Sequence, residues 1–215
     1  MFAEKTMNPW NNIALEDYEK HMCFESVQQL QQLNEMMKCQ IASCNKESIM
    51  ILGVAGGNGL EYINPADNQT VYGIDINDKY LQICRERYPD LQNILHTCHI
   101  DAGKHPEQLP QAKHLLANLF IEYVGISSFQ KIVSIVMPDT ISCIIQVNGI
   151  NAFVSHTPYV NAFEQLDQIA HVITEEELAD KMQKTGYVKT AKKKYDLPNK
   201  KQLVQLDYRK TVPSC

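Results

Sequence analysis

From residue 48 onward, short apolar runs alternate with polar stretches of helical spacing. The runs "SIMILGV" (48–54), "TVYGID" (70–75), "NILHTCHI" (93–100), "KHLLANL" (113–119) and "TISCIIQV" (140–147) predict strands. Helices are expected near 58–64, 77–88 and 123–136, with a short one around 105–109. Strands alternating with helices in this way predict βαβ units, a parallel sheet covered on both faces, and right-handed crossovers. Upstream, Val27, Leu30, Leu33, Met37 and Ile41 recur at three- and four-residue steps, so 15–44 reads as helix, with Ser26 and Gln29 as a capping box. Downstream, a helix is expected from Glu175 to Lys184, opened by Thr174 and Glu177 and ended by Gly186. "YVKTAKKKYDL" and "KQLVQLDYRK" then alternate apolar with polar residues around "PNK" and predict an antiparallel pair on one edge of the sheet. With no internal repeat or low-complexity linker, the expected division is a helical cap over 1–45 and one compact α/β unit over 46–215.

The first strand runs into "GVAGGNG", a bend carrying Gly56, Gly57 and Gly59. In an open parallel sheet, ligands bind beyond the carboxyl ends of the strands. Glycines there let backbone amides come close to a ligand, and a following helix would add free N–H groups. Asp75 closes the second strand, where an acid can accept hydrogen bonds from the ribose hydroxyls of a nucleoside. An ordinary βα turn with a capping aspartate is the plainer alternative. Counting G-x-G-x-x-G from Gly57 puts Tyr62 at the sixth position, and no Lys-Ser/Thr pair follows Gly59, so dinucleotide and P-loop sites are disfavoured. S-adenosylmethionine remains as the cofactor common to this architecture.

"ILGVAGGNG", "VYGIDIND", "HIDA" and "LLANLFIEYV", in this order, resemble the class I S-adenosylmethionine-dependent methyltransferases over about residues 48 to 210. The resemblance implies a Rossmann-like, mostly parallel seven-stranded sheet with helices on both faces and an antiparallel C-terminal hairpin. That family's first motif reads acid-x-Gly-x-Gly-x-Gly. Here Gly53 stands at the acid, Ala55 at the first glycine, and Gly57 and Gly59 match, so the acid that helps hold the methionyl ammonium is missing. By the same resemblance Asp75 takes the ribose hydroxyls and Ile76 lies against adenine. Asp101, with Ala102 beside it, accepts from the adenine amino group, and Asn118 lies near the methionyl ammonium.

The implied reaction is methyl transfer to a small-molecule acceptor by in-line displacement, in which the protein mostly aligns the reactants. A base helps only where the acceptor is a hydroxyl or a protonated amine, and His21, Glu122 and His156 are the candidates. Trp10, Tyr18, Tyr123 and Tyr159 are candidates for the acceptor wall. Tyr18, His21 and Met22 share a helical face, which would alternatively just pack on the sheet.

Composition narrows the partners. Of 215 residues 44% are hydrophobic, enough for a real core, and a net charge of −5 argues against a dedicated nucleic-acid binder. No apolar run approaches a membrane span, and the seven scattered cysteines include no CxxC pair, so a reducing, cytoplasmic setting is expected. His96, Cys98 and His99 lack a second pair at ligand spacing, and no metal is expected. Lysines 192 to 194 and 200 to 201 read as a solvated edge that discourages strand pairing. Two other functions are carried forward. One is a methyltransferase fold kept as a binding or assembly module, motivated by Gly53; the other is a nicotinamide-dependent oxidoreductase, disfavoured by Tyr62 and the hairpin.

Overall fold

A computed structural model describes residues 8–45, 47–67, 69–147 and 153–211. Seven strands form one sheet: β1 (Ile49–Leu52), β2 (Val71–Asp75), β3 (Leu95–His99), β4 (His114–Asn118), β5 (Thr140–Val147), β6 (Tyr187–Asp196) and β7 (Gln202–Lys210). Their order is β3-β2-β1-β4-β5-β7-β6. The first five are parallel, β7 runs antiparallel to β5, and β6 antiparallel to β7. β1 therefore pairs with β2 on one side and β4 on the other, which makes its carboxyl end the topological switch point.

All four residues of β1 are buried, because both faces of the sheet are covered. Met50 and Leu52 face α5 (Ile126–Val136) and α6 (Glu175–Lys184), whose Phe129, Ile132, Val133, Leu178 and Met182 belong to one large core. Ile49 and Ile51 face the other way, toward Met37 and Ile41 of α2 (Gln29–Ala42) and Leu81 and Cys84 of α3 (Asp78–Arg87). A third cluster joins Met22 of α1 (Leu15–Cys23) and Leu33 and Met36 of α2 to Ile144 and Leu203 of the sheet. No helix among the described residues is long and apolar enough to cross a membrane.

The helices depart from the sequence pattern at particular residues. The stretch 15–44 is two helices, because the chain turns at Gln28 (φ 50°), and no side chain caps α2, so the expected Ser26–Gln29 box does not form. Gln29 instead donates from its side chain to Gln146. The helix expected at 58–64 is only a pair of 3-10 turns, Leu60–Tyr62 and Pro65–Asp67, since Gly59 (φ 93°) precedes it and Pro65 forbids continuation. The 123–136 helix is divided at Gly125 (φ 78°) into α4 (Ile121–Val124) and α5. α6 starts as expected, with Thr174 Oγ1 accepting from Glu177 N at 3.1 Å. Among the edge lysines, Lys192 and Lys194 pair with Glu175. Lys201 departs from the expected solvated edge altogether: it is 2% exposed.

The glycines of the bend serve packing. A Cβ on Gly57 would lie 2.6 Å from the Tyr88 ring, and one on Gly59 would lie 2.6 Å from Met37 Cβ. Both residues also have φ near +90°. Bare backbone is thus needed so that α2 and the end of α3 can close on the loop. Gly59→Ala should destabilise the fold by about 1–3 kcal/mol, through backbone strain together with displacement of Met37. Urea unfolding of the variant against the wild type measures this.

Candidate functional site

Beyond Leu52 the chain leaves the sheet at Gly53 (φ 69°) and swings across the end of β2. The Gly53 and Val54 amides both donate to Ile74 O, at 2.9 and 3.1 Å. Asp75, next along β2, has its carboxylate turned toward this bend. Its Oδ2 accepts from Ala55 N at 2.9 Å and its Oδ1 from Asn77 N at 2.9 Å. Burial raises its pKa, while the backbone donors and His99 pull the other way. Asn77 caps α3 by accepting from Lys79 N at 3.1 Å, and its amide donates to Trp10 O at 2.8 Å. The segment before α1 is thereby fastened to the same corner.

A cleft of about 1110 Å³, open mouth included, lies over this corner. Its lining includes Gly53, Ala55, Asp75, Ile76, Asp101 and Ala102. An aromatic part of the wall is made by Trp10, Tyr18, Tyr123, Phe153 and Phe163, with His21 among them. The rings meet edge to face, Trp10 with Tyr123 at 4.8 Å and Tyr123 with Phe153 at 5.7 Å between centroids.

Each residue singled out from the sequence has a definite place. Asn118 lines the cleft, but its side chain forms a double amide pair with Gln40, at 2.8 and 3.0 Å. Asp101 accepts from Lys104 N at 3.2 Å and pairs with Lys104 Nζ at 3.1 Å. Ile76 borders the cleft with its carbonyl held by His99 Nε2 at 2.8 Å. Gly57 and Gly59 face Tyr88 and Met37 and do not border the cleft. His156 lines a second, neighbouring cavity, and Tyr159 lies beside Lys20, with its ring centroid 5.9 Å from Nζ. Glu122 sits behind the aromatic wall, fully buried, its Oε1 accepting from Gln146 N at 2.7 Å.

Burial disfavours the charged form of these groups. It lowers the His21 pKa to about 4, helped by nearby Lys201, and raises Glu122 to about 7. The phenols of Tyr18 and Tyr123 are pushed up for the same reason. Lys201 falls to about 8 against a weaker opposing pull from Asp167. The residues that the pattern did not disclose are Gln29, Gln146, Phe153, Ser155 and Phe163. Phe153, Ser155 and Phe163 come from an irregular segment with no periodicity to read.

With this geometry in view, likeness to known proteins becomes informative. No protein-family model matches the chain, and no curated protein does. Solved structures do. Magnesium protoporphyrin IX methyltransferase from Synechocystis, with bound S-adenosylmethionine, superposes with a TM-score of 0.67 at 11% identity over 95% of each chain. Geranyl diphosphate C-methyltransferase from Streptomyces coelicolor, with Mg2+, geranyl diphosphate and S-adenosylhomocysteine, gives 0.64 at 11% identity over 91% of this chain and 82% of that one. The 4+2 cyclase SpnF gives 0.62 at 10% identity over 86% and 83%. The fold is that of the class I S-adenosylmethionine-dependent methyltransferases, with the mixed seven-stranded sheet and antiparallel C-terminal pair that the sequence resemblance implied.

The Glu122 carboxyl sets a pH dependence of stability. Its folded pKa of about 7 lies above the ordinary 4.5, so the unfolded chain gives up the proton first as pH rises. Its stabilising effect is present below about pH 4.5 and is lost as pH climbs through 7. Glu122→Gln keeps an acceptor for Gln146 N and removes the titration. Its stability relative to the wild type should rise by about 1–3 kcal/mol between about pH 5 and pH 8, read from denaturant midpoints.

Proposed function

We propose that the chain is a methyltransferase that uses S-adenosylmethionine to methylate a small molecule held in the aromatic part of the cleft. One observation carries this reading: a buried carboxylate at the end of β2 faces the bend after β1, with open space beside it at the switch point. Each Asp75 oxygen spends one lone pair on a backbone amide and keeps another for a ribose hydroxyl. Ile76 and Ala102 would flank the adenine, and Asp101 would accept from its amino group while Lys104 holds the carboxylate in place. Bound there, the cofactor supplies a methyl group on a sulfonium for in-line displacement.

The chain's own contribution is placement and dryness. Residues 1–45 act as a cap in this reading, with Trp10 and Tyr18 closing the chamber and excluding water. Alignment of this kind supplies on the order of 7–11 kcal/mol of such a barrier. His21, neutral at physiological pH, offers a hydrogen bond to the acceptor rather than a charge. The largely apolar cleft favours a small molecule over a nucleic acid, and the free buried thiols Cys84 and Cys143 suit the reducing cytoplasm.

A second reading has support in Gly53. An acid there would have to adopt φ 69°, and its Cβ would lie 3.3 Å from the Phe120 ring, so this backbone is built for glycine. The methionyl ammonium would then be held by neutral oxygens, as in a fold retained for binding or for other chemistry, and the cyclase SpnF shares the architecture. Incubation of a metabolite extract with isotopically labelled methyl donor separates the two, since only the enzyme yields a labelled small molecule.

Calorimetry with S-adenosylhomocysteine tests the cofactor half directly. The wild type should bind it, and Asp75→Ala should weaken binding by at least about tenfold. Undiminished binding by that variant contradicts the proposal.

A further inference from the structure

Behind the aromatic chamber lies a lysine with no carboxylate in contact among the described residues, Asp167 acting on it only weakly. Lys201 follows the β6–β7 turn, where its amide donates to Asn199 Oδ1 at 3.1 Å and its carbonyl accepts from Leu197 N at 2.9 Å. A lysine beside a hairpin turn normally reaches solvent, yet this one runs inward and is 2% exposed. Its Nζ donates to Phe153 O at 2.6 Å and Ser155 Oγ at 3.0 Å. Both acceptors are neutral, and among the described residues no carboxylate lies within ion-pair distance of it. An ammonium buried with no anion in contact is costly, and a site that brings an anion closer when a ligand binds reduces that cost.

Lys201 itself lines the side cavity, and its hydrogen bonds to Phe153 and Ser155 link it to the wall of the main cleft. Ser155 Oγ accepts from Lys201 Nζ and from Asn199 Nδ2 at 3.0 Å, which uses both lone pairs and leaves the hydroxyl hydrogen to be donated. Ser155 borders the cleft beside Phe153 and Val154. Phe153 O is itself shared by Lys201 and Gln146 Nε2, the latter at 2.9 Å. His21 lies close enough for the Lys201 charge to be felt at its ring. Thr157 Oγ1 accepts from Tyr159 N at 3.2 Å and lies in hydrogen-bond contact with His21 Nδ1, 2.8 Å away.

We infer that the acceptor is a ring-containing molecule bearing an anionic oxygen, a carboxylate or a phenolate, held by the Ser155 hydroxyl with the Lys201 ammonium behind it. The inference rests on reading the aromatic part of the cleft as the acceptor chamber. The ring system belongs against Trp10, Tyr18 and Tyr123. The side cavity, which Lys201 and Ser155 also line, is the wrong place for the anion, because Glu164 and Asp167 share its wall. In the main cleft the carboxylates, Asp75 and Asp101, belong to the nucleoside part. Lys201 acts through Ser155 and is a positioning residue.

Two matched pairs of probes test this: 2-naphthoate against 2-naphthamide, and 2,4-dinitrophenolate against 2,4-dinitroanisole. Each is titrated into the full chain by calorimetry, with S-adenosylhomocysteine present and absent. The anionic member of at least one pair should bind about tenfold or more tightly than its neutral partner, and which pair responds tells carboxylate from phenolate. Lys201→Met and Ser155→Ala should each abolish the preference while the neutral probe binds as before, and Lys201→Arg should retain most of it. If Lys201→Met does not fold, Ser155→Ala decides. No anion preference in the wild type, or a preference that survives in the variants, overturns the inference. Failure to bind S-adenosylhomocysteine with the anion preference intact would instead count against the methyltransferase reading alone.

Discussion

The Asp75 carboxylate is the tie on which the rest of the site depends. Its two oxygens take the amides of Ala55 and Asn77, so one side chain joins the bend after β1 to the start of α3. Hydrogen bonds to a charged group contribute about 1.5–3 kcal/mol each, enough to hold Ala55 in the left-handed region (φ 47°), which a residue other than glycine rarely adopts. Through Asn77 the same tie reaches Trp10 O and so fixes the segment that roofs the chamber. The bend after β1, the start of α3 and the segment before α1 are thus fastened at a single corner, the one where strand order reverses.

The polar groups around the chamber follow a common rule, that burial is tolerated where charge is avoided or shared. Glu122 gives one oxygen to Gln146 N and the other finds no partner among the described residues, which suits a carboxyl whose pKa rises to about 7. His21 is neutral, and Lys201 spreads its charge over a serine and a carbonyl. The chamber is therefore apolar along its walls and hydrogen-bond-donating at one end. Such a shape orients a flat molecule and dictates which edge points inward.

Much of the sheet was legible in the sequence because its central strands are buried on both faces. "IMIL" and "HLLAN" could hardly be anything but interior strands, and the alternation in 187–210 marked the antiparallel edge. Helix limits were less legible, since the breaks fall on single left-handed residues such as Gln28 and Gly125 that do not interrupt the apolar periodicity. Asp75 could be found because it ends a strand beside a glycine bend. The glycines themselves were harder to interpret: Gly57 and Gly59 admit Tyr88 and Met37, whereas Gly53 and Ala55 border the cleft. Nothing along the chain announced Ser155 or Phe163, which lie in an irregular segment. Lys201 looked like an ordinary edge lysine because its burial comes from the 153–168 segment folding over it, a tertiary effect with no local signature.

The most direct test of the central claim is a crystal structure of the protein with S-adenosylhomocysteine bound. The account predicts the ribose hydroxyls on the Asp75 carboxylate, the adenine between Ile76 and Ala102, and the sulfur facing the aromatic chamber. A ligand seated elsewhere, with Asp75 bonded to nothing but the Ala55 and Asn77 amides, would contradict it.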